Sequence, residues 1–147
     1  MRAIAFVFTG FLAGAVWAEG TNAPLDKTVF IEEDIDDLKQ FVWEKRPIVV
    51  FADSPNDPNF NQQMEFLRNR VEDLRERDVI VLTDTDPDAK SALRRTLRPR
   101  GFALVVVGKD GKVKLRKPFP WDVRELSRSI DKMPLRKREI QDRNVSN

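Results

Sequence analysis

The side chains best placed for chemistry are acids and amides in two short loops. DSPNDPNF (53–60) follows the apolar run PIVVFA (47–52) and precedes a helical pattern, so Asp53, Asn56, Asp57 and Asn59 stand where a strand gives way to a helix. TDTDPD (83–88) follows a second apolar run, VIVLT (79–83), and spaces Asp84, Asp86 and Asp88 two apart. Oxygen ligands without nitrogen or sulfur suit calcium or magnesium. The Asp-x-Asp-x-Asp spacing is that of a calcium loop, but no Gly follows and Arg95 stands where the closing Glu belongs. At a helix start, unpaired N–H groups favour an anionic or carbonyl ligand. The competing local reading makes Asn59 a helix cap completed by Gln62, and Asp86 a cap for the next helix.

Composition removes whole reaction classes. The chain has 0 Cys, 0 His and 0 Tyr. Thiol–disulfide exchange needs a thiolate that attacks and leaves, so this chain cannot perform it unaided. Without His it lacks the usual general base and the commonest metal ligand. Asp, Glu, Lys and Ser remain, which leaves a hydrolase using Asp53, Asp57 and Asp84, with or without a divalent metal.

Charge is divided along the chain although the net value is only +2. Seven acids against two lysines occupy residues 19–40, and nine bases against Asp110 alone occupy 91–117. The bases include Arg94, Arg95, Arg98 and Arg100 at the end of a helical pattern. Lys112, Lys114 and Arg116 share one face of an alternating strand. Cations there complement a helix dipole and protect a sheet edge from aggregation. They would equally dock an acidic polymer, a lipid headgroup or an acidic protein face. Nucleic acid is disfavoured, because no aromatic platform is interleaved with these cations.

The elements that must position these residues follow from periodicity. Ile31, Ile35, Leu38 and Val42 repeat at helical spacing and predict a helix over 31–42. PIVVFA, VIVLT and FALVVVG (102–108) are continuous apolar runs, as in strands covered on both faces. Phe60, Met64, Leu67, Val71 and Leu74 predict a helix over 60–76. Ala89, Leu93 and Leu97 predict another over 87–97. Asp110-Gly111 predicts a tight hairpin turn into KVKLR (112–116). Asp122 and Glu125 open a helix with Val123, Leu126, Ile130 and Met133 inward, and Pro134 ends it. Residues 135–147 read as a polar, fraying tail. The result is an α/β domain with a four- or five-stranded mixed sheet and helices on both faces.

That succession resembles the thioredoxin fold. On that frame Asn56-Asp57-Pro58-Asn59 falls at the Cys-x-x-Cys position and Ala103 near the cis-proline position, so both signature elements are missing. RPIVVFADSPND (46–57), GFALVVVGKDGKVKLR (101–116) and IDKMPLRKREI (130–140) are similar to the bacterial domain-of-unknown-function family numbered 4174. The resemblance implies a thioredoxin-like, exported protein and assigns no activity.

The N-terminus agrees with export. Arg2 precedes an uncharged stretch from Ala3 to Val16. Small residues at Val16 and Ala18 predict cleavage after Ala18. The expected organisation is a signal peptide (1–18), a thioredoxin-like domain (19–134) and a polar tail (135–147), with no membrane span in the mature protein and a periplasmic or secreted location. The expected function is a non-redox binding or accessory module for an envelope protein, peptide or anionic polymer. The alternatives are the carboxylate hydrolase above and a structural envelope protein.

Overall fold

Three apolar, β-branched runs build the interior of the sheet. The computed structural model describes residues 25–147; the expected leader and its cleavage site lie outside the described residues. Strands β1 (Arg46–Phe51), β2 (Val79–Asp84), β3 (Ala103–Val107) and β4 (Val113–Lys117) lie in the order β2-β1-β3-β4. β1 and β2 run parallel, with Ile48 beside Val81. β3 is antiparallel to both β1 and β4. Pro47 sits in the central strand because β3 begins to pair only at Ile48, so its missing N–H costs no bond on that side.

Period two sorts the strands onto two cores. Ile48, Val50, Leu104 and Val106 face α1 (Pro58–Arg68), α2 (Val71–Glu76) and α4 (Val123–Asp131) through Met64, Leu67, Leu74, Leu126 and Ile130. Val49, Phe51, Val105 and Val107 face Leu93 and Leu97 of α3 (Ala92–Leu97), with Ile31, Ile35, Leu38 and Phe41 against them. The mixed sheet with helices on both faces is the architecture expected.

Several local expectations are corrected. Residues 31–42 form one 3₁₀ turn, Leu38–Phe41, rather than a helix. Glu32, Glu33, Asp36 and Asp37 would place like charges four apart, and Phe30 is drawn into a parallel bridge with Val81 instead. The predicted 60–76 helix is broken at Asn69-Arg70, where Arg70 leaves helical angles. The 87–97 helix divides into a 3₁₀ turn, Pro87–Ala89, and α3, because Lys90 turns left-handed and Ser91 caps afresh. Ala89 is therefore exposed rather than inward. The hairpin uses a three-residue loop in which Gly111 (φ +79°) supplies the left-handed angle, and β4 bulges opposite Val106 and Val107.

The largest difference is at the C-terminus. The segment expected to fray is helix α5 (Pro134–Val145). Its inward side is charged. Arg136 and Arg46 are each 1% exposed. Arg46 donates to the Arg77 carbonyl (2.7 Å) and to Glu139 (3.0 Å). Arg136 donates to the Glu76 carbonyl and to Asp131, each at 3.2 Å. Arg77 grips both oxygens of Asp131 at 3.0 and 2.8 Å, and Lys109 bridges Asp78 (2.8 Å) and Glu139 (2.7 Å). The guanidinium groups also satisfy carbonyls at the end of α2, which an isolated helix leaves bare. Every buried side-chain polar atom among the described residues has a partner.

Burial alone would raise the Glu139 pKa. Hydrogen bonds from Arg46 and Lys109 outweigh it and hold the carboxyl at about 2, below the ordinary 4.5. Asp131 is lowered in the same way by Arg77 and Arg136. A carboxyl lowered on folding contributes stability that is present above its unfolded pKa and lost as pH falls through the folded one. Urea midpoints are therefore expected to fall between pH 4.5 and 2. Glu139→Gln should cost about 3 kcal/mol at pH 7, because it leaves Arg46 partly unpaired, and should flatten that acid slope. Urea titrations of both proteins across the range check this.

Candidate functional site

Both loops singled out in the sequence lie where β1 and β2 end. The first is mostly occupied with its own turn. The Ser54 hydroxyl accepts from the Asn56 N–H (3.1 Å), and Asp57 accepts from the Asn59 N–H (2.8 Å). Asp57, with Pro58 at the first helical position, is therefore the cap of α1. Asn59 is not the cap; it is exposed inside the first turn. Asp53 and Asn56 are exposed too. Gly101, shortly before β3, takes a left-handed angle (φ +57°), and an added Cβ there would make only ordinary contact with the Asp53 carboxylate at 3.9 Å.

The second loop is built around an ion pair. Asp84 and Arg94 meet at 2.9 Å with side chains 9% and 10% exposed. Arg94 also donates to the carbonyls of Ala52 (2.7 Å) and Asp84 (3.1 Å), and lies over the Phe51 ring at 5.4 Å. Ser91 donates its hydroxyl to Asp84. Asp86 caps the 3₁₀ turn through the Asp88 N–H (3.1 Å). Asp84, Asp86 and Asp88 thus serve three separate local bonds or solvent. Among the described residues no three acidic side chains converge closely enough to hold a metal ion. Asp53, Asp57 and Asp84 likewise do not form a shared carboxylate centre. Arg94 leaves the basic patch: its guanidinium locks the ends of β1 and β2 together.

The remaining cations divide by position. Arg95 donates to the Lys90 carbonyl (2.7 Å) and is otherwise exposed. Arg98 closes α3 in a left-handed conformation (φ +48°), and Arg98 and Arg100 are exposed. Arg116 lies opposite Val105, which shares an apolar cluster with Leu97. The Arg98 end of α3 and Arg116 therefore share one face of the sheet near β3. Lys112 precedes β4, and the bulge at Lys114 breaks the alternation expected of Lys112, Lys114 and Arg116: Val113, opposite Val107, shares the Arg116 face, while Leu115, opposite Val106, takes the other. Lys114 is paired with Asp110 (2.7 Å). Lys117 turns to the other face and sits 4.4 Å above the Trp121 ring.

Sequence reasoning missed Gln63. Fully buried on α1, it donates to the Trp121 carbonyl (3.0 Å) and accepts from the Trp121 N–H (2.7 Å). Its only signal was an amide beside Met64 on an apolar stripe. A groove of about 520 Å³ runs between 31–36 and the β2–α3 segment, lined by Glu32, Glu33, Asp34, Asp36 and Asp86 together with Lys90 and Arg95. No helix of the described residues is long and apolar enough to cross a membrane.

A parallel β1–β2 pair, an antiparallel β3–β4 hairpin and helices on both faces define a thioredoxin-like α/β domain, here without a thiol at its strand-to-helix turn. The chain belongs to the family described as Domain of unknown function (DUF4174), whose model matches residues 37–139. Solved structures agree on the fold. The reduced 2-Cys peroxiredoxin of Plasmodium vivax aligns over 64% of this chain and 80% of its own, with 16% identity and a TM-score of 0.53. The thioredoxin peroxidase I of Plasmodium yoelii aligns over 64% and 75%, with 16% identity and a TM-score of 0.50. No curated protein matches the sequence.

The capping geometry is directly testable. Asp57→Ala should lower stability by about 1 kcal/mol, and Asn59→Ala should leave it nearly unchanged, as read from urea midpoints. A reversal would return the cap to Asn59.

Proposed function

We propose that this protein is an exported, non-redox binding module on a thioredoxin-like scaffold, and that it docks an anionic partner at the basic face of β3 and β4. One observation carries the reading. Two segments distant in sequence, the α3 end with Arg98 and strand β4 with Arg116, place exposed cations on the same side of the sheet, and exposed Arg100 follows the α3 end. No ion pair among the described residues neutralises those three side chains, whereas Arg94, nearby in the chain, is paired and enclosed. Absence of Cys from the chain removes the redox reading of the same scaffold. The uncharged N-terminal stretch with its small-residue cleavage pattern supports export.

The test is retention on an anionic polymer, immobilised heparin, in a salt gradient. Retention should fall steeply with salt, as exposed charges are screened over about 8 Å at 0.15 M. The variant Arg98→Glu/Arg100→Glu/Arg116→Glu should elute at the start with its melting temperature kept. Lys132→Glu/Lys137→Glu/Arg138→Glu, the same charge change on α5 and the turn before it, should elute close to the parent. Equal behaviour of the two variants, or no retention of the parent at low salt, refutes the proposal.

A further inference from the structure

The charge division of the sequence becomes a division of one face of the sheet. Helix α3 packs on the side that carries Val49, Phe51 and Val105. Where α3 begins, the groove of about 520 Å³ opens, with half-buried Ile31 and Ile35 and buried Leu93 in its lining. Its 31–36 wall carries Glu32, Glu33, Asp34 and Asp36, all exposed and without an ion pair among the described residues. Lys90 and Arg95 line the groove too, but the acids outnumber them. Where α3 ends the sign reverses. Arg98 closes the helix, and Arg116 of β4 lies on the same side of the sheet, opposite Val105. Val113, 42% exposed, shares the Arg116 face.

One side of the molecule therefore presents acids at one end of α3 and cations at the other, with about 9 Å of helix between them. A soluble polyanion would match the cations and leave the groove acids unmatched. A partner that matches both ends must carry both charges in the same order, and this chain is such a partner. A two-fold axis lying between two such faces, across α3, sets each cationic end over the other copy's groove. That arrangement is isologous, so every favourable contact occurs twice and assembly closes at two copies. Complementary potentials fix the register and reject like-charged faces. The apolar elements correspond as well: Val113 accompanies the cations, and Ile31 and Ile35 line the groove. We infer that the protein pairs with a second copy of itself through the α3 face, Arg98 and Arg116 of each copy set against Glu32, Glu33, Asp34 and Asp36 of the other. This rests on the binding reading above and names the anionic partner of that same face.

The experiment reads the mass of the purified protein by sedimentation velocity over a concentration series. At low salt the parent should pass from monomer to dimer and stop there. At about 1 M salt, where the screening length is about 3 Å, association should weaken about tenfold or more. Glu32→Lys/Glu33→Lys/Asp34→Lys/Asp36→Lys and Arg98→Glu/Arg116→Glu should each stay monomeric where the parent is dimeric, with melting temperatures kept. Mixed in equal amounts, the two variants should form a heterodimer of about parental affinity, because both sets of reversed charges then match. The milder pair Glu33→Lys and Arg116→Glu gives the same test if four reversals impair folding. Lys132→Glu/Lys137→Glu/Arg138→Glu should dimerise as the parent does. A mixture that stays monomeric overturns the inference, as does a parent that never dimerises or that grows past the dimer. Loss of the dimer in the Lys132 variant equally overturns it, since association would then follow net charge rather than the α3 face. If heparin is retained but the parent stays monomeric, self-pairing fails while the anionic-docking reading stands. If neither occurs, both fail.

Discussion

Two guanidinium groups removed from water govern the base of this fold. A charge as enclosed as Arg46 or Arg136 is tolerable only when its donors are matched by acceptors held in place. The acceptors come from the end of α2, the end of α4 and the middle of α5, while Lys109 brings in the β3–β4 turn. One requirement, full pairing of buried donors, thus fixes how four otherwise separate segments meet. An apolar patch of similar volume could be as stable. It would not dictate which carbonyl faces which side chain. The ionic base contrasts with the opposite end of β1, where the turns close on their own polar atoms and several side chains remain exposed.

Strands β1, β2 and β3 were readable because burial on both faces leaves a continuous apolar run, whereas β4 showed only alternation after a turn signal. Leu93, Leu97, Leu126 and Ile130 were readable for a related reason, since each marks a face against an apolar neighbour. Elements whose packing is ionic escaped. Helix α5, LRKREIQDRN in its middle, shows no apolar stripe, because the side it buries is Arg136. Residues 31–42 failed in the opposite sense: their apolar spacing was real, and Ile31, Ile35 and Leu38 do pack on the sheet, but the acids between them do not favour a helix. At the loops, residue type narrowed the roles without assigning them. Asp57 and Asn59 are both good caps, and only the observed geometry selects Asp57. Arg94 looked like its exposed neighbours, yet a partner ten residues earlier, Asp84, pulled it inward.

The segments that carry the family resemblance have more in common than strand content. RPIVVFADSPND begins with Arg46, GFALVVVGKDGKVKLR contains Lys109, and IDKMPLRKREI contains Asp131, Arg136 and Glu139. Each segment thus holds a member of the ionic base, and the first also carries Asp53, Asn56 and Asp57 of the opening loop; the family match spans 37–139. The features shared with thioredoxin-like structures are topological, at 16% identity. In this chain the sheet is anchored by the ionic base, and β4 has no outer partner strand among the described residues.

The separation between Arg46 and Glu139 is 93 residues. During vectorial synthesis the first strand emerges long before its carboxylate does. Closing so wide a loop carries an entropic cost, and until it closes the Arg46 guanidinium has the Arg77 carbonyl but not Glu139 as acceptor. Full enclosure of Arg46 therefore waits on α5, the helix that supplies Glu139.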